Sequence, residues 1–171
     1  MAKPLAERSR PRGLWRLAAR LPIWLYRLHL GWLLGHRVLY LTHTGRKSGL
    51  KRHVVLEVVR YDPHSSTFLA ASGWGKKSDW YQNIQKTPEV SLQSGRTRMK
   101  ATAVNLTQQE AERELQDYAR RHPLAYKELV RVMLGENQGS FQEASRKLAQ
   151  NTPMVAFVPR DGSRPEKQEQ G

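Results

Sequence analysis

RVLYLTHT at residues 37–44, GRKSGLK at 45–51 and RHVVLEVVR at 52–60 decide the fold. Two runs of β-branched and large apolar residues flank a short segment with two glycines and several cations, which reads as strand, hairpin tip and strand. The same signature recurs at 67–72, 90–93, 96–105 and 154–159, bounded by Gly, Pro, Asp and Ser. Asp62-Pro63 starts a turn after the second strand, and Ser94-Gly95 fits a two-residue hairpin between the fourth and fifth. Between the strands, helical patterns lie at 79–86 after Ser78, 108–121, near 123–134 and at 141–149. Thr107-Gln108-Gln109-Glu110 is a capping box, with acids following in the first turns of its helix. The fold expected is α+β: an antiparallel barrel of about six strands, closed or partly closed because short strands must cover their edges, with flanking helices. It occupies residues 37–159, with helices over 108–149.

The 171 residues contain no cysteine, which excludes disulfide scaffolds, thiolate zinc sites, Fe–S clusters and cysteine nucleophiles. One domain of this length buries enough apolar surface to fold without staples. The formal net charge is +14, and its distribution is uneven. Residues 1–37 hold eight Lys/Arg and one acid, residues 38–106 eleven and four, and residues 107–171 ten and ten. An anionic partner is therefore expected for the first 106 residues.

Residues 1–36 form a separate region. Met1 to Gly13 is an Arg- and Pro-rich basic arm. Leu14, Leu17, Leu21, Leu25, Leu28 and Trp32 then recur at helical spacing, with Arg16, Arg20 and Arg27 opposite. Arg16, Arg20, Pro22 and Arg27 interrupt the stretch, so it is not a transmembrane span, and no small-residue cleavage site marks a signal peptide. It is either a helix docked on its own domain or one lying in a membrane surface. Residues 160–171 read as a disordered tail.

Two clusters carry polar chemistry. Thr42 to Arg52 contains two glycines, three hydroxyls and four permanent cations at a hairpin tip. Glycines let main-chain amides approach a ligand, and Arg46, Lys47, Lys51 and Arg52 suit phosphate or carboxylate. The order of a P-loop is absent, since a strand follows the glycines. A tip of solvated charges accounts for the composition equally well. In the second cluster, Ala70 to Asn83, small residues run into Gly73, Trp74 and Gly75 and then a helix start with Trp80 and Tyr81. Such a segment accepts a planar ring against backbone with an aromatic cover, or packs a helix onto the barrel. Metal-ligand spacings and a nucleophile elbow are missing, so no metal is expected. Glu57 lies in an apolar run and shares a face with Val55 and Val59 by alternation. It faces solvent with them or is a buried acid with a use, solvent being the simpler reading.

Leu41-Thr42-His43-Thr44-Gly45-Arg46-Lys47-Ser48-Gly49 with Arg52, then Ala71-Ser72-Gly73, Trp80-Tyr81-Gln82-Asn83 and Thr87-Pro88-Glu89-Val90, closely resemble the deazaflavin (coenzyme F420)-dependent nitroreductase and quinone reductase family. The similarity runs from about Leu39 to Val158 with motif order kept. The resemblance implies a split β-barrel with the deazaflavin ring against the barrel and its phospholactyl-oligoglutamate tail over the basic loop. Matched residue by residue, Arg46, Lys47, Ser48 and Arg52 would hold the anions. His53, Val54, Val55, Leu56 and Glu57 would line the ring, Ala70, Ala71, Ser72 and Gly73 would meet it on the next strand, and Asp79, Trp80, Tyr81 and Asn83 would close the site. Val54-Val55-Leu56-Glu57 departs from the family's Asn-Pro-Leu-Tyr, so its substrate-activating tyrosine is Glu57 here. A family lysine is Gly73, with Lys76 or Lys77 as replacement.

The implied reaction is hydride transfer from reduced coenzyme F420 to a quinone, nitro compound or activated alkene, with Tyr81, Glu57 or water supplying a proton. FMN is the alternative cofactor, and a non-catalytic barrel holding deazaflavin, flavin or haem is the alternative function. Nucleic acid is not expected, because the tryptophans do not alternate with cations on a sheet face. The partners expected are the small acceptor, a second copy in a homodimer, and the inner face of a membrane met by residues 1–35 of a cytoplasmic protein.

Overall fold

The computed structural model describes residues 37–95, 97–135, 139–160 and 166–167. The expected basic arm and amphipathic helix at 1–36 lie outside them. Seven strands and four helices follow in the order β1 (Val38–Thr44), β2 (Lys51–Asp62), β3 (Thr67–Ala71), α1 (Asp79–Lys86), β4 (Glu89–Ser94), β5 (Thr97–Asn105), α2 (Gln108–Arg121), α3 (Pro123–Leu134), α4 (Phe141–Asn151), β6 (Met154–Pro159) and β7 (Glu166–Lys167). A short 3₁₀ turn, Gly75–Lys77, precedes α1.

The first six strands close on themselves. Their order is β4-β1-β2-β3-β6-β5, and β5 pairs back to β4, every pairing antiparallel. Closure removes the edges that short strands cannot otherwise protect. Ser94 pairs with Thr97, so the hairpin turns after Ser94, one position later than the Ser94-Gly95 reading. Gly95 takes the positive φ (58°) that such a tight loop demands of its first residue. In the Asp62-Pro63 turn, the Asp62 carboxylate accepts from the His64 amide and the Ser65 hydroxyl. Within 160–171, expected to be structureless, Glu166 and Lys167 pair with Arg98 and Thr97.

Two apolar layers hold the molecule. Leu39, Leu41, Leu56, Phe68, Val155 and Phe157 fill the barrel from alternating strand positions, and Trp80 and Ile84 of α1 plug it. Burying each large side chain of this kind stabilises by about 1.5–3 kcal/mol. Outside the barrel, Ala111, Leu115, Tyr126, Met133, Leu148 and Met154 form a second cluster against Val59 and Ala71. This places α2, α3 and α4 over the outer face of β2 and β3. Arg60 fastens the layers, its Nε and Nη2 donating to the two carboxylate oxygens of Glu114 on α2 at 2.9 and 2.8 Å. The register shift between Val58 and Arg60 allows this. Val58 and Tyr61 pack on the barrel core, so the bulge leaves Val59 and Arg60 both turned to the helices. Capping boxes start α2 at Thr107 and α4 at Ser140, the latter unread in the sequence although Ser140 and Glu143 have the same spacing.

Candidate functional site

The cationic tip between β1 and β2 is held by a buried amide. Gly45 is buried under it, and a Cβ there would stand 2.8 Å from Ser48 Oγ and 3.3 Å from the Leu50 carbonyl, so the close turn requires glycine. The Arg46 backbone amide and its Nη1 both donate to Asn83 Oδ1 at 3.0 Å. Two donors on Oδ1 turn the Asn83 amide nitrogen to His43, whose Nδ1 accepts at 3.1 Å. That fixes the imidazole tautomer with its proton on Nε2. Burial first, and the neighbouring His53 second, lower the His43 pKa to about 4. Neutral His43 is therefore the form that holds Asn83.

Arg46, expected to bind an anion, already has one. Its Nη1 and Nη2 donate to Asp79 Oδ1 at 3.3 Å, and its carbonyl accepts from Lys86 Nζ at 3.0 Å. Arg46, Asp79 and Asn83 thus lock the tip onto α1. Lys47, Lys51 and Arg52 have no acidic partner among the described residues and stand exposed around Ser48. Beside them His53 stacks on Tyr40, ring centroids 5.3 Å apart, with Thr42 Oγ1 3.0 Å from its Nδ1.

The loop after β3 is equally tied. Ser72 is fully buried, donates to the Gly75 carbonyl at 2.7 Å and so accepts from Ser78 Oγ at 2.6 Å. Its hydroxyl belongs to the loop and offers nothing to a ligand. Gly75 sits at φ 61° against Asn151, and Trp74 and Lys77 are exposed. Trp80 is buried in the barrel and does not cover a ring. Tyr81 packs on the barrel core, and burial raises its pKa.

Strand alternation sorts the ring-lining residues. Val54, Leu56 and Ala70 turn into the barrel, so their side chains do not reach its outer face. Val55, Glu57, Ala71 and Gly73 remain outside. Three of these, Glu57, Ala71 and Gly73, border a cavity of about 160 Å³ between the sheet and the helices. Leu115 and Tyr118 of α2, Leu129 and Met133 of α3, Leu148 of α4 and Thr152 complete it. Glu57 is exposed at its border, as the simpler of the two sequence readings had it. Burial and the Glu57 charge raise the pKa of Tyr118, keeping its phenol protonated.

Tyr118 and Thr152 escaped the sequence reading. Tyr118 falls three residues after Leu115, a spacing that in a helix places the two on one face and signals packing only. Thr152, between a helix and a strand, carried no signal at all.

The family model described as F420H2-dependent quinone reductase matches residues 20–132. A solved structure of an F420-H2 dependent reductase is 23% identical, over 72% of this chain and 95% of that one, with a TM-score of 0.49. A putative pyridoxamine 5'-phosphate oxidase from Listeria innocua is 13% identical over 85% of this chain and 99% of its own, at TM-score 0.50. A protein from Agrobacterium tumefaciens described as of unknown function is 14% identical over 98% and 63%, at TM-score 0.53. The last two share the fold, the split barrel of the pyridoxamine-oxidase type.

Proposed function

Because the chain belongs to the F420H2-dependent quinone reductase family, and so is an oxidoreductase that uses coenzyme F420, we propose that its acceptor is a quinone, with nitro compounds and activated alkenes as secondary acceptors. One observation carries this reading: the outer face of β2 runs from a cationic tip to an apolar cavity. By alternation Lys51, His53, Val55 and Glu57 share that face, about 20 Å from first to last at 3.3 Å per residue. The coenzyme, with anions at one end and a planar ring at the other, would lie along this face with its ring over Val55 beside the cavity, whose apolar wall suits a smaller, nonpolar acceptor.

The residues present suit the coenzyme. Lys47, Lys51 and Arg52, without acidic partners, would hold the phosphate and carboxylates of its tail. Arg46, spent on Asp79 and Asn83, would act by positioning the tip. Val55, Ala71 and Gly73 would meet the ring, and an alanine and a glycine permit close approach. FMN, with a single phosphate, leaves most of these cations unused.

The bound reduced coenzyme supplies a hydride. With one proton it converts a quinone to its hydroquinone, two electrons and two hydrogens in all, while the coenzyme is oxidised. Tyr118 Oη holds a proton at the cavity, and exposed Glu57 links that region to solvent. A tyrosine from α2 thus takes the place the family's strand tyrosine would have filled at residue 57. The helices over the sheet exclude water from the apolar wall.

The test is direct: purified protein, reduced coenzyme F420 and menadione, followed by the return of oxidised deazaflavin absorbance. Failure to bind micromolar coenzyme refutes the reading, and tight binding without oxidation by any acceptor favours a carrier. Lipid-soluble quinones also motivate contact between residues 1–35 and a membrane. No helix among the described residues is long and apolar enough to cross one. Co-sedimentation with anionic vesicles, lost on deleting residues 1–35, is the result expected of peripheral binding.

A further inference from the structure

The outer face of β2 carries opposite charges at its two ends. Lys51 stands beside Lys47 and Arg52 at the tip, and Glu57 stands exposed at the border of the cavity, with His53 and Val55 between them. The Glu57 carboxylate has no ion pair or hydrogen bond among the described residues. Its partner across the β1–β2 ladder is Val38, which offers it no cation. A charge beside an apolar wall is screened less than one surrounded by water, because low-dielectric walls focus its field.

The wall is largely aliphatic, supplied by Val58, Val59, Leu115, Leu129, Met133 and Leu148. An uncharged ring gains by leaving water for such a surface, whereas an anionic substituent loses hydration there and meets no cation. Among the described residues that border the cavity, Glu57 alone is charged. Arg121 and Arg37 act on the Tyr118 phenol, but each more weakly than Glu57 does, and neither borders the cavity. Arg121 is also held by Asp117 at 3.0 Å. A ligand entering beside Tyr118 therefore approaches an unpaired carboxylate.

We propose that Glu57 makes the acceptor site selective by charge: it admits uncharged quinones and repels those that carry a sulfonate or carboxylate. The inference rests on the quinone reading above and adds the residue that sorts the acceptors.

Menadione and 1,4-naphthoquinone-2-sulfonate share a ring system and differ in charge, so their calorimetric titration into the coenzyme-free full chain at low ionic strength tests it. Glu57→Gln removes the charge and Glu57→Lys reverses it. Glu89→Gln, an exposed acid of β4 that does not border the cavity, controls for overall charge. Two unit charges about 4–6 Å apart in water change an equilibrium by about three- to sixfold. The ratio of sulfonate to menadione affinity should rise by about that factor in Glu57→Gln, by roughly its square in Glu57→Lys, and not in Glu89→Gln. Added salt should shrink these differences. In turnover with coenzyme F420, the ratio of kcat/KM for the two acceptors should move in parallel. An unchanged ratio in both Glu57 variants overturns the proposal, and so does an equal rise in Glu89→Gln, which would assign the effect to overall charge. Failure of the wild type to bind either naphthoquinone overturns it too. If the wild type binds both but reduces neither with coenzyme F420, the quinone reductase reading falls while the titration still decides on Glu57.

Discussion

Lowering the pH from 7 to 5 is expected to remove about 2 kcal/mol of folding stability through His43 alone. In the folded protein its pKa is about 4, against an ordinary 6.5. Between those values the unfolded chain binds a proton that the folded chain refuses. The contribution is therefore complete above pH 6.5 and is lost as pH falls toward 4. At 1.36 kcal/mol per pKa unit the full loss approaches about 3 kcal/mol, of which about 2 has occurred by pH 5. Burial of the ring is the largest cause and the neighbouring His53 the second; a protonated Nδ1 would in addition face the Asn83 amide nitrogen at 3.1 Å, two donors with no acceptor between them. Asn83 cannot flip without abandoning the Arg46 amide and guanidinium. Urea denaturation at pH 7 and pH 5, at constant ionic strength, measures the loss. His43→Asn retains an acceptor near the Nδ1 position and does not titrate, so the difference between the two pH values should shrink by about 2 kcal/mol in that variant. Parallel pH profiles for wild type and variant refute the reasoning, as does an imidazole titration of His43 by NMR with a midpoint near 6.5.

Asn83→Leu leaves the Arg46 amide and His43 Nδ1 without partners, and should destabilise by about 2–3 kcal/mol in denaturant titration while loosening the hairpin tip in hydrogen exchange. Combined Lys47→Gln, Lys51→Gln and Arg52→Gln should weaken coenzyme binding by on the order of tenfold to a hundredfold and flatten its salt dependence, with thermal stability nearly unchanged. Thr107→Ala and Ser140→Ala each remove a capping-box acceptor, for an expected loss of about 1 kcal/mol apiece by urea denaturation. Gly73 lacks a positive φ, and a Cβ there meets nothing within 4 Å. Gly73→Ala should therefore raise stability by about 0.4–1 kcal/mol, read as a higher thermal midpoint.

The barrel strands and the helices were legible in the sequence because their signals are local. Alternation through RHVVLEVVR, the capping residues Thr107 and Glu110, and the glycines at 45 and 49 act within a few residues of themselves. The basic tip was legible for the same reason: seven consecutive residues carry three of its cations, and Arg52 follows directly. Alternation also contained the news that Leu56 and Ala70 face inward, although the family pattern named them as ring contacts.

What local pattern could not supply was partnership across the chain. Only the folded molecule shows that Arg46 is committed to Asp79 and Asn83, that Ser72 serves Ser78, and that the bulge near Val59 turns Arg60 toward Glu114. Glu57, Tyr118 and Thr152 border one cavity although β2, α2 and the end of α4 bring them from distant parts of the chain. Sequence periodicity tells each residue which side of its own element it occupies. It cannot tell which other element will cover that side, because the covering is set by closure of the barrel and the packing of three helices on its outer face. The cations and the strands came from the order of residues; the cavity came from tertiary packing.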